Sequence, residues 1–519
     1  MKNAIVILFL SIIVNSCQIE QSKSWTLIPY PDSISILPGT FTFEHGIAIS
    51  SSDENLNQTI SLFKNELNNL GIDTNKNSDK ILVLKLKSSS DKGSEAYKLE
   101  VNKNRIELTA SDPKGIFYGL MTIWQELKFS KSKTIPCGYI MDEPRFEYRG
   151  FMLDESRHFF GKNKVKQIID MMSKFKLNTF HWHLTDAPGW RIEIEAYPKL
   201  ATIGGQGHYK QPDAPAKYYS KEDIREIIDF ATDRFVEIIP EIDMPGHATA
   251  ANRAYPEFSG GGSEKYPDFT FNPGKESTYR YLNTILNEVA ELFPSKYIHL
   301  GGDEVHFGNE AWNTNDSIQT VIQREGFESL VDVEHYFMQR MKDHLFSINK
   351  NLAGWDEIIE SGVSNKSTLV YWWRHDKKEQ LKKSLTKGYN TILCPRIPLY
   401  FDFVQHDIHT VGRRWDGFGS IEDVYGYPDS THLFSDEEMK LIKGIQACLW
   451  TERFDTEEWL DFMTYPRMLA LSESAWTNNY NKDISRFNKN LPLVFEFLEE
   501  QNIYYYNSLT PTLNVEPKK

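Results

Sequence analysis

Ile298-His299-Leu300-Gly301-Gly302-Asp303-Glu304 begins as an apolar run of strand length and ends in two glycines and two adjacent carboxylic acids. Glycines at a strand end let a second backbone or a ligand come close. Acids that follow them sit where the chain leaves the sheet, which in a parallel barrel is where chemistry collects. A strand followed by a solvated acidic turn would look the same, since charged pairs lie mostly on surfaces. The neighbouring sequence decides between the two.

From about residue 145 to 476, short apolar stretches alternate with amphipathic ones. Eight strands are expected, at 150–153, 179–184, 236–242, 297–301, 352–355, 368–373, 390–394 and 445–450. Between them Val165, Ile168, Ile169, Met172 and Phe175 recur at helical spacing. Ile224, Ile227, Ile228, Ala231 and Phe235 do the same after Ser220 and Asp223, a capping-box pair. Eight β–α units in about 330 residues predict an α/β fold, a (β/α)8 TIM barrel. The alternative is a doubly wound open sheet, but no Gly-x-Gly-x-x-Gly follows any strand.

A barrel demands that functional groups gather at the C-terminal strand ends, and they do. The first strand runs into Asp154-Glu155-Ser156-Arg157-His158 and the second into His181-Trp182-His183-Leu184-Thr185-Asp186. The third ends in Glu241-Ile242-Asp243-Met244-Pro245-Gly246-His247, the fourth in Asp303-Glu304, the fifth in Trp355-Asp356-Glu357 and the sixth in Trp372-Trp373-Arg374. Tyr400-Phe401-Asp402 lies beyond the seventh, and Trp450-Thr451-Glu452 ends the eighth. Carboxylates ringed by tryptophan and arginine suit sugars: hydroxyls take charged, bidentate partners and the C–H face takes an aromatic plate.

Over residues 145–476 these segments resemble the family-20 glycoside hydrolases, the β-N-acetylhexosaminidases. The most specific match is residues 299–304, the pattern His-x-Gly-Gly-Asp-Glu; Arg157-His158-Phe159 and residues 181–190, 241–247, 354–357 and 450–452 match as well. The small domain before the barrel resembles the one that precedes it in that family. Asp186-Ala187 departs from the pattern, since many relatives carry two acids in a row there. The resemblance implies an exo-acting enzyme that removes terminal β-linked N-acetylhexosamine from glycans, by a retaining, substrate-assisted mechanism without metal or cofactor. It implies Glu304 as general acid and then base, and Asp303 as the group that holds the substrate's 2-acetamido nitrogen. Tyr400 would bind the acetamido oxygen, and Trp355, Trp373 and Trp450 would wall the pocket. Arg157, Asp402 and Glu452 would bind ring hydroxyls, with His247 and Asp186 buttressing the acids.

Elementary chemistry agrees in part. An ordinary retaining glycosidase needs two carboxylates about 5 Å apart across the scissile bond, and consecutive residues are poorly placed for that. An enzyme nucleophile remains open, with Glu241, Asp243 and Asp356 also at the rim. His181 and His183 face one side of a strand; that spacing allows a metal pair, against which stands a hydrogen-bonded core pair. A metal-dependent barrel hydrolase and a non-catalytic glycan-binding lipoprotein are the competing readings. Gly260-Gly261-Gly262 reads as a mobile loop near the rim.

Residues 1–17 carry Lys2, an apolar run and a terminal Val14-Asn15-Ser16-Cys17, which resembles a bacterial lipobox. That predicts an exported outer-membrane lipoprotein, periplasmic or at the cell surface, held only by lipid on Cys17. Residues 18–24 would be a tether, 25–140 an α/β accessory domain with a boundary near 134–143, 145–476 the catalytic barrel, and 477–519 a C-terminal helix and tail. The helix, over 483–502, should pack back on the barrel. Formal net charge of −14 disfavours nucleic acid or an anionic membrane surface as partner. Cys137, Cys394 and Cys448 are too scattered for a disulfide framework or a zinc motif.

Overall fold

The computed structural model describes residues 25–74, 78–87, 93–415 and 417–518. The leader and tether, with Cys17, lie outside the described residues. Two sheets organise the chain. The first has six strands in the order Ser33–Thr42, Thr134–Asp142, Tyr97–Val101, Arg105–Ala110, Ile81–Leu86 and Ala48–Ser51. Residues 134–142, read from sequence as a boundary, form a strand of this sheet and pair with strands on both sides. The strand Ser33–Thr42 has no clean alternation because its register shifts between Ile36 and Thr40, around Pro38-Gly39.

The helix Pro113–Phe129 opens at Asp112, whose carboxylate accepts the Lys114 N–H, with proline in its first turn. Almost all of it is buried, since it lies between the sheet and the rest of the molecule. Two buried ion pairs join the domains: Arg149 with Glu95 at 2.7 Å and Lys176 with Asp142 at 2.8 Å. The C-terminal helix Ile484–Glu500 packs on the barrel through Phe487 against Tyr425, at 5.1 Å between rings. It also reaches the first domain, where Phe497 meets Trp124 edge-on at 5.3 Å. It therefore clamps the two domains, more than the sequence reading asked of it.

The second sheet is a closed barrel of eight parallel strands: Tyr148–Asp154, Thr179–His183, Glu237–Met244, Tyr297–Gly301, Asn351–Trp355, Thr368–Trp372, Asn390–Leu393 and Ile442–Leu449. The helix Lys162–Lys174 buries Val165, Ile168, Ile169 and Met172, and the capping box of Ser220 and Asp223 starts Lys221–Thr232. Register brings His299 of the fourth strand beside Glu241 of the third. The glycine run is no loose loop. Ser259–Gly261 forms a short strand against Thr270–Phe271, and a Cβ on Gly260 would lie 2.4 Å from the Phe271 carbonyl oxygen. Among the described residues no helix is long and apolar enough to cross a membrane.

Candidate active site

The fourth strand ends abruptly. Gly301 and Gly302 take φ of +66° and +87°, and a Cβ on Gly301 would fall 1.8 Å from Asp243 Oδ1. Only glycine tolerates both the angle and the neighbour. Glu304 is itself left-handed, at φ +53°, a conformation of the kind that persists where the surroundings enforce it and that clusters at active sites. The turn sends Asp303 and Glu304 into one cavity of about 170 Å³ at the C-terminal end of the barrel.

Arg157, Asp186, His247, Trp373, Tyr400, Trp450 and Glu452 line the same cavity, while Asp402 and Trp355, also expected at the site, stand behind it. Asp402 is fully buried and accepts from Arg413 Nε at 2.8 Å; Arg413 Nη2 donates to Glu452 at 2.6 Å. Trp355 is 1% exposed, stands behind Trp450 at 5.8 Å between rings, and donates its indole N–H to Glu241 Oε1 at 2.9 Å. Trp373 and Tyr400 form parallel walls, 6.3 Å between rings and 9° apart. Trp373 is held upright by its N–H bond to Glu357 Oε2, 3.1 Å.

Asp186 is the hub beneath the pair. Its Oδ2 takes Arg157 Nη2 at 2.7 Å and His183 Nε2 at 2.9 Å, and its Oδ1 faces His247 Nδ1 at 2.9 Å. His247 Nε2 then points at Asp303 Oδ2, 3.6 Å, and Glu304 Oε2, 3.7 Å. Burial works against the His247 cation, but Asp186 and Asp303 overcome it and hold the imidazole at about 9. Burial raises Asp303 to about 7, with Glu304 and other carboxylates adding to the rise against His247. Burial and Asp303 together push Asp243 well above the usual carboxylate range.

Several buried polar atoms here lack a partner: Asp303 Oδ1, His247 Nε2, Asp402 Oδ1, Glu452 Oε2 and Trp450 Nε1. Buried polar atoms are normally paired, so donors and acceptors left open around one cavity fit a polar ligand. Sequence reasoning missed Arg413, Arg396, Phe403 and Trp415, which come from the loop after the seventh strand and line the cavity. That loop has no periodicity, and nothing in a single sequence marks which of its residues turn inward.

Three groups, including His181 with Glu241 and His299, bring three ligand-type atoms within 4.8 Å of each other. Within the first, Glu241 oxygens lie 3.0 Å from His181 and 2.9 Å from His299. Those are hydrogen-bond lengths; zinc with bonds of about 2.0–2.2 Å would hold its ligands further apart. Glu241 is hydrogen-bonded to His183 Nδ1 and Trp355 Nε1, and His299 Nδ1 accepts the Gly301 N–H at 3.1 Å. A wider cavity, about 610 Å³, opens at the opposite barrel end between Glu95, Tyr148 and Tyr297. Chemistry does not use that end of such barrels, and none of the expected site residues reaches it.

The match to known families decides the family. Residues 146–479 match the profile described as "Glycosyl hydrolase family 20, catalytic domain", and residues 24–143 match "Glycosyl hydrolase family 20, domain 2". The chain belongs to glycosyl hydrolase family 20. A β-hexosaminidase of Porphyromonas gingivalis is 31% identical over 509 residues, covering 94% of this chain and 65% of that protein. The chain thus spans about two thirds of that relative's length. One from Vibrio furnissii is 33% identical over 471 residues, 87% of this chain and 76% of that protein. Among solved structures, a family-20 exo-β-N-acetylglucosaminidase of Vibrio harveyi in complex with N-acetylglucosamine superposes with a TM-score of 0.83. It is 30% identical and covers 93% of this chain and 78% of that one. A β-N-acetylhexosaminidase of Bacteroides fragilis gives 0.80 at 30% identity, over 92% and 96%. The barrel and its preceding domain are thus the family-20 arrangement.

Proposed function

We propose that this family-20 glycoside hydrolase is an exo-acting β-N-acetylhexosaminidase that works with retention, using the substrate's own acetamido group as nucleophile. The observation that carries the reading is the pair itself: two consecutive carboxylates at one strand end, in a cavity of about 170 Å³. Pockets for drug-sized ligands run to roughly 300–1,000 Å³, so this one suits a single sugar. Consecutive residues do not straddle a glycosidic bond, which favours one acid for proton transfer and the other for steadying an internal nucleophile.

In this mechanism the pair shares one proton before substrate arrives. The acetamido N–H hydrogen-bonds Asp303, stabilises its carboxylate and leaves the proton on Glu304. Glu304 gives it to the leaving oxygen as the acetamido oxygen attacks the anomeric carbon, and positive charge grows on the nitrogen beside Asp303. Tyr400, neutral because burial raises its hydroxyl, donates to the acetamido oxygen. Glu304 then takes a proton from water, which opens the cyclic intermediate and restores the β-configuration. Arg157, Glu452 and Asp402 grip hydroxyls, and Trp373 and Trp450 face the ring. We also propose that Cys17 is lipidated and tethers the enzyme to the outer membrane of the exporting cell.

The test is hydrolysis of an aryl β-N-acetylglucosaminide beside the matching β-glucoside, together with the products of a chitin tetramer. The first should be cleaved and the second not, because the glucoside lacks the nucleophile. Single sugars should be the first products. Equal rates on both glycosides, or disaccharides appearing first, would refute the reading.

A further inference from the structure

Below the reacting pair the barrel core holds a polar column that a packing role does not require. Glu241, in the middle of the third strand and fully buried, is its centre. Its Oε1 takes Trp355 Nε1 at 2.9 Å and lies 2.9 Å from His299 Nδ1; its Oε2 lies 2.5 Å from His183 Nδ1 and 3.0 Å from His181 Nε2. Above, His183 Nε2 continues to Asp186, and Asp186 to His247. Below, Gln446 Nε2 donates to His181 Nδ1 at 3.1 Å, and Tyr148 donates to Gln446 Oε1 at 2.5 Å. The bonded chain runs from Glu241 through His183 and Asp186 to the His247 ring that faces Asp303 and Glu304, and the 3.0 Å His181 contact joins it to the lower barrel without hydrogen-bond geometry.

We infer that Glu241 is a positioning residue for the reaction: its charge keeps His183 an imidazolium, and His183 in turn locks Asp186 and the orientation of His247. It touches no substrate and acts through two intermediates. The inference rests on the reading of Asp303 and Glu304 as the reacting carboxylates. Replacing such a core by apolar residues often leaves a protein as stable or more so, so a buried carboxylate with three histidines asks for another reason.

Arg157, His183 and His247 stand among Glu241, Asp186, Asp154 and the Asp303–Glu304 pair, with Asp154 on Arg157 at 3.6 Å. The two imidazoles at Glu241 Oε2 differ for visible reasons. Burial and the neighbouring His299 depress His181 to about 4, and the Gln446 amide occupies its Nδ1 as donor. His183 is buried too, but Glu241 and Asp186 on its two nitrogens hold it at about 10. The other charged groups facing His183 are Asp154, which adds to the rise, and Arg157, whose Nη1 is 3.4 Å from Nε2. His247 is faced by Asp186, Asp303 and Glu304. His183 has a raised value, so the stability its charge contributes is complete below about 6.5, and the charge itself is lost as pH rises through about 10. Without Glu241 the loss comes earlier.

Glu241→Gln tests this in the full-length enzyme. We expect kcat for an aryl β-N-acetylglucosaminide to fall about tenfold or more, out of the ~10²–10⁴ that acid–base help supplies, with KM within about threefold. The basic limb of kcat should move to lower pH by about one unit or more, following the earlier deprotonation of His183. Tyr148→Phe, which cuts the column at its uncharged lower end, should change thermal stability without moving that limb. Imidazole ¹⁵N spectra of the wild type provide a readout that does not depend on activity. One ring, assigned by its loss in His183→Gln, should remain doubly protonated at pH 8.5. Wild-type kcat and an unmoved limb in Glu241→Gln would overturn the inference. So would Glu241→Gln and Tyr148→Phe losing activity in step with stability, or a His183 already neutral at pH 8.5.

Discussion

Replacing Asp186 by asparagine keeps the side chain's shape and removes one charge, and its consequences can be worked through atom by atom. Oδ2 serves two donors, Arg157 and His183, while Oδ1 accepts the Ala187 N–H at 2.5 Å and faces His247. The amide oxygen will stay with the two charged donors, which sets the NH₂ group against the Ala187 N–H at a further cost. The NH₂ then faces His247 Nδ1, which must become an acceptor. Any remaining ring proton moves to Nε2, towards Asp303 and Glu304, and the imidazolium is no longer supported. Held at about 9 against an ordinary 6.5, His247 carries about 3 kcal/mol of interaction with its anionic neighbours, of which Asp186 is the largest favourable source. His247 is raised, so this stabilisation is complete below about 6.5 and fades as pH rises through about 9. Asp186→Asn should therefore cost roughly 2–3 kcal/mol of stability at pH 6, within what removing one partner of a buried pair costs. The deficit should shrink by pH 10. With the ring in the wrong tautomer, kcat should fall by ~10²–10⁴, with a smaller change in KM. Urea denaturation at the two pH values and steady-state kinetics measure both. A variant with wild-type kcat, or a stability deficit that does not depend on pH, would show that Asp186 is only a space-filling residue.

Glu304→Gln should lower kcat on chitooligosaccharides by ~10²–10⁴ and much less on an aryl glycoside with an activated leaving group; near-wild-type turnover of the oligosaccharide would mean another group is the acid. Incubation with a 2-deoxy-2-fluoro glycoside, which has no acetamide, should leave the protein mass unchanged, whereas a stable sugar adduct on Asp243, Asp356 or any other rim carboxylate would identify an enzyme nucleophile. A thiazoline mimic of the cyclic intermediate should inhibit at least ~10²-fold more tightly than substrate binds, and an inhibition constant close to KM would count against the cyclic intermediate. Cys17→Ser should move the enzyme from the membrane to the soluble fraction with kcat unaltered, because one acyl chain alone binds weakly and the lipoprotein's several chains together provide the hold; an unchanged distribution removes the lipid anchor.

Much of the architecture was legible before any coordinates. Hydrophobic period is local, so Val165 through Met172 announced a helix and residues 297–301 a strand, and the eight strands follow the expected order. The strand-end rule then collected Asp303, Glu304, Asp186, His247, Arg157, Trp450 and Glu452 without a contact being known, because in a parallel barrel all strand ends share one rim. The strands Ser33–Thr42 and Thr134–Asp142 were not legible. One is broken by a bulge, and the other lies at the end of the first domain and is defined only by its pairing with strands on both sides.

Side-chain partnership is a different matter, since it depends on closure of the barrel. Register across the third and fourth strands puts Glu241 among His181, His183 and His299, residues up to 118 positions apart whose spacing says nothing of a shared carboxylate. Arg413 joins Asp402 to Glu452 from a loop without period, and burial with neighbouring carboxylates raises Asp243, while the same kind of neighbours hold His183 and His247 raised against burial. The order of residues along the chain determined the barrel and the chemistry on its rim, because periodicity and strand ends are properties of short segments. Which acid carries a proton, and which ring holds it, was decided by the folded core, because a pKa is set by desolvation and by charges that only tertiary structure brings within a few ångströms.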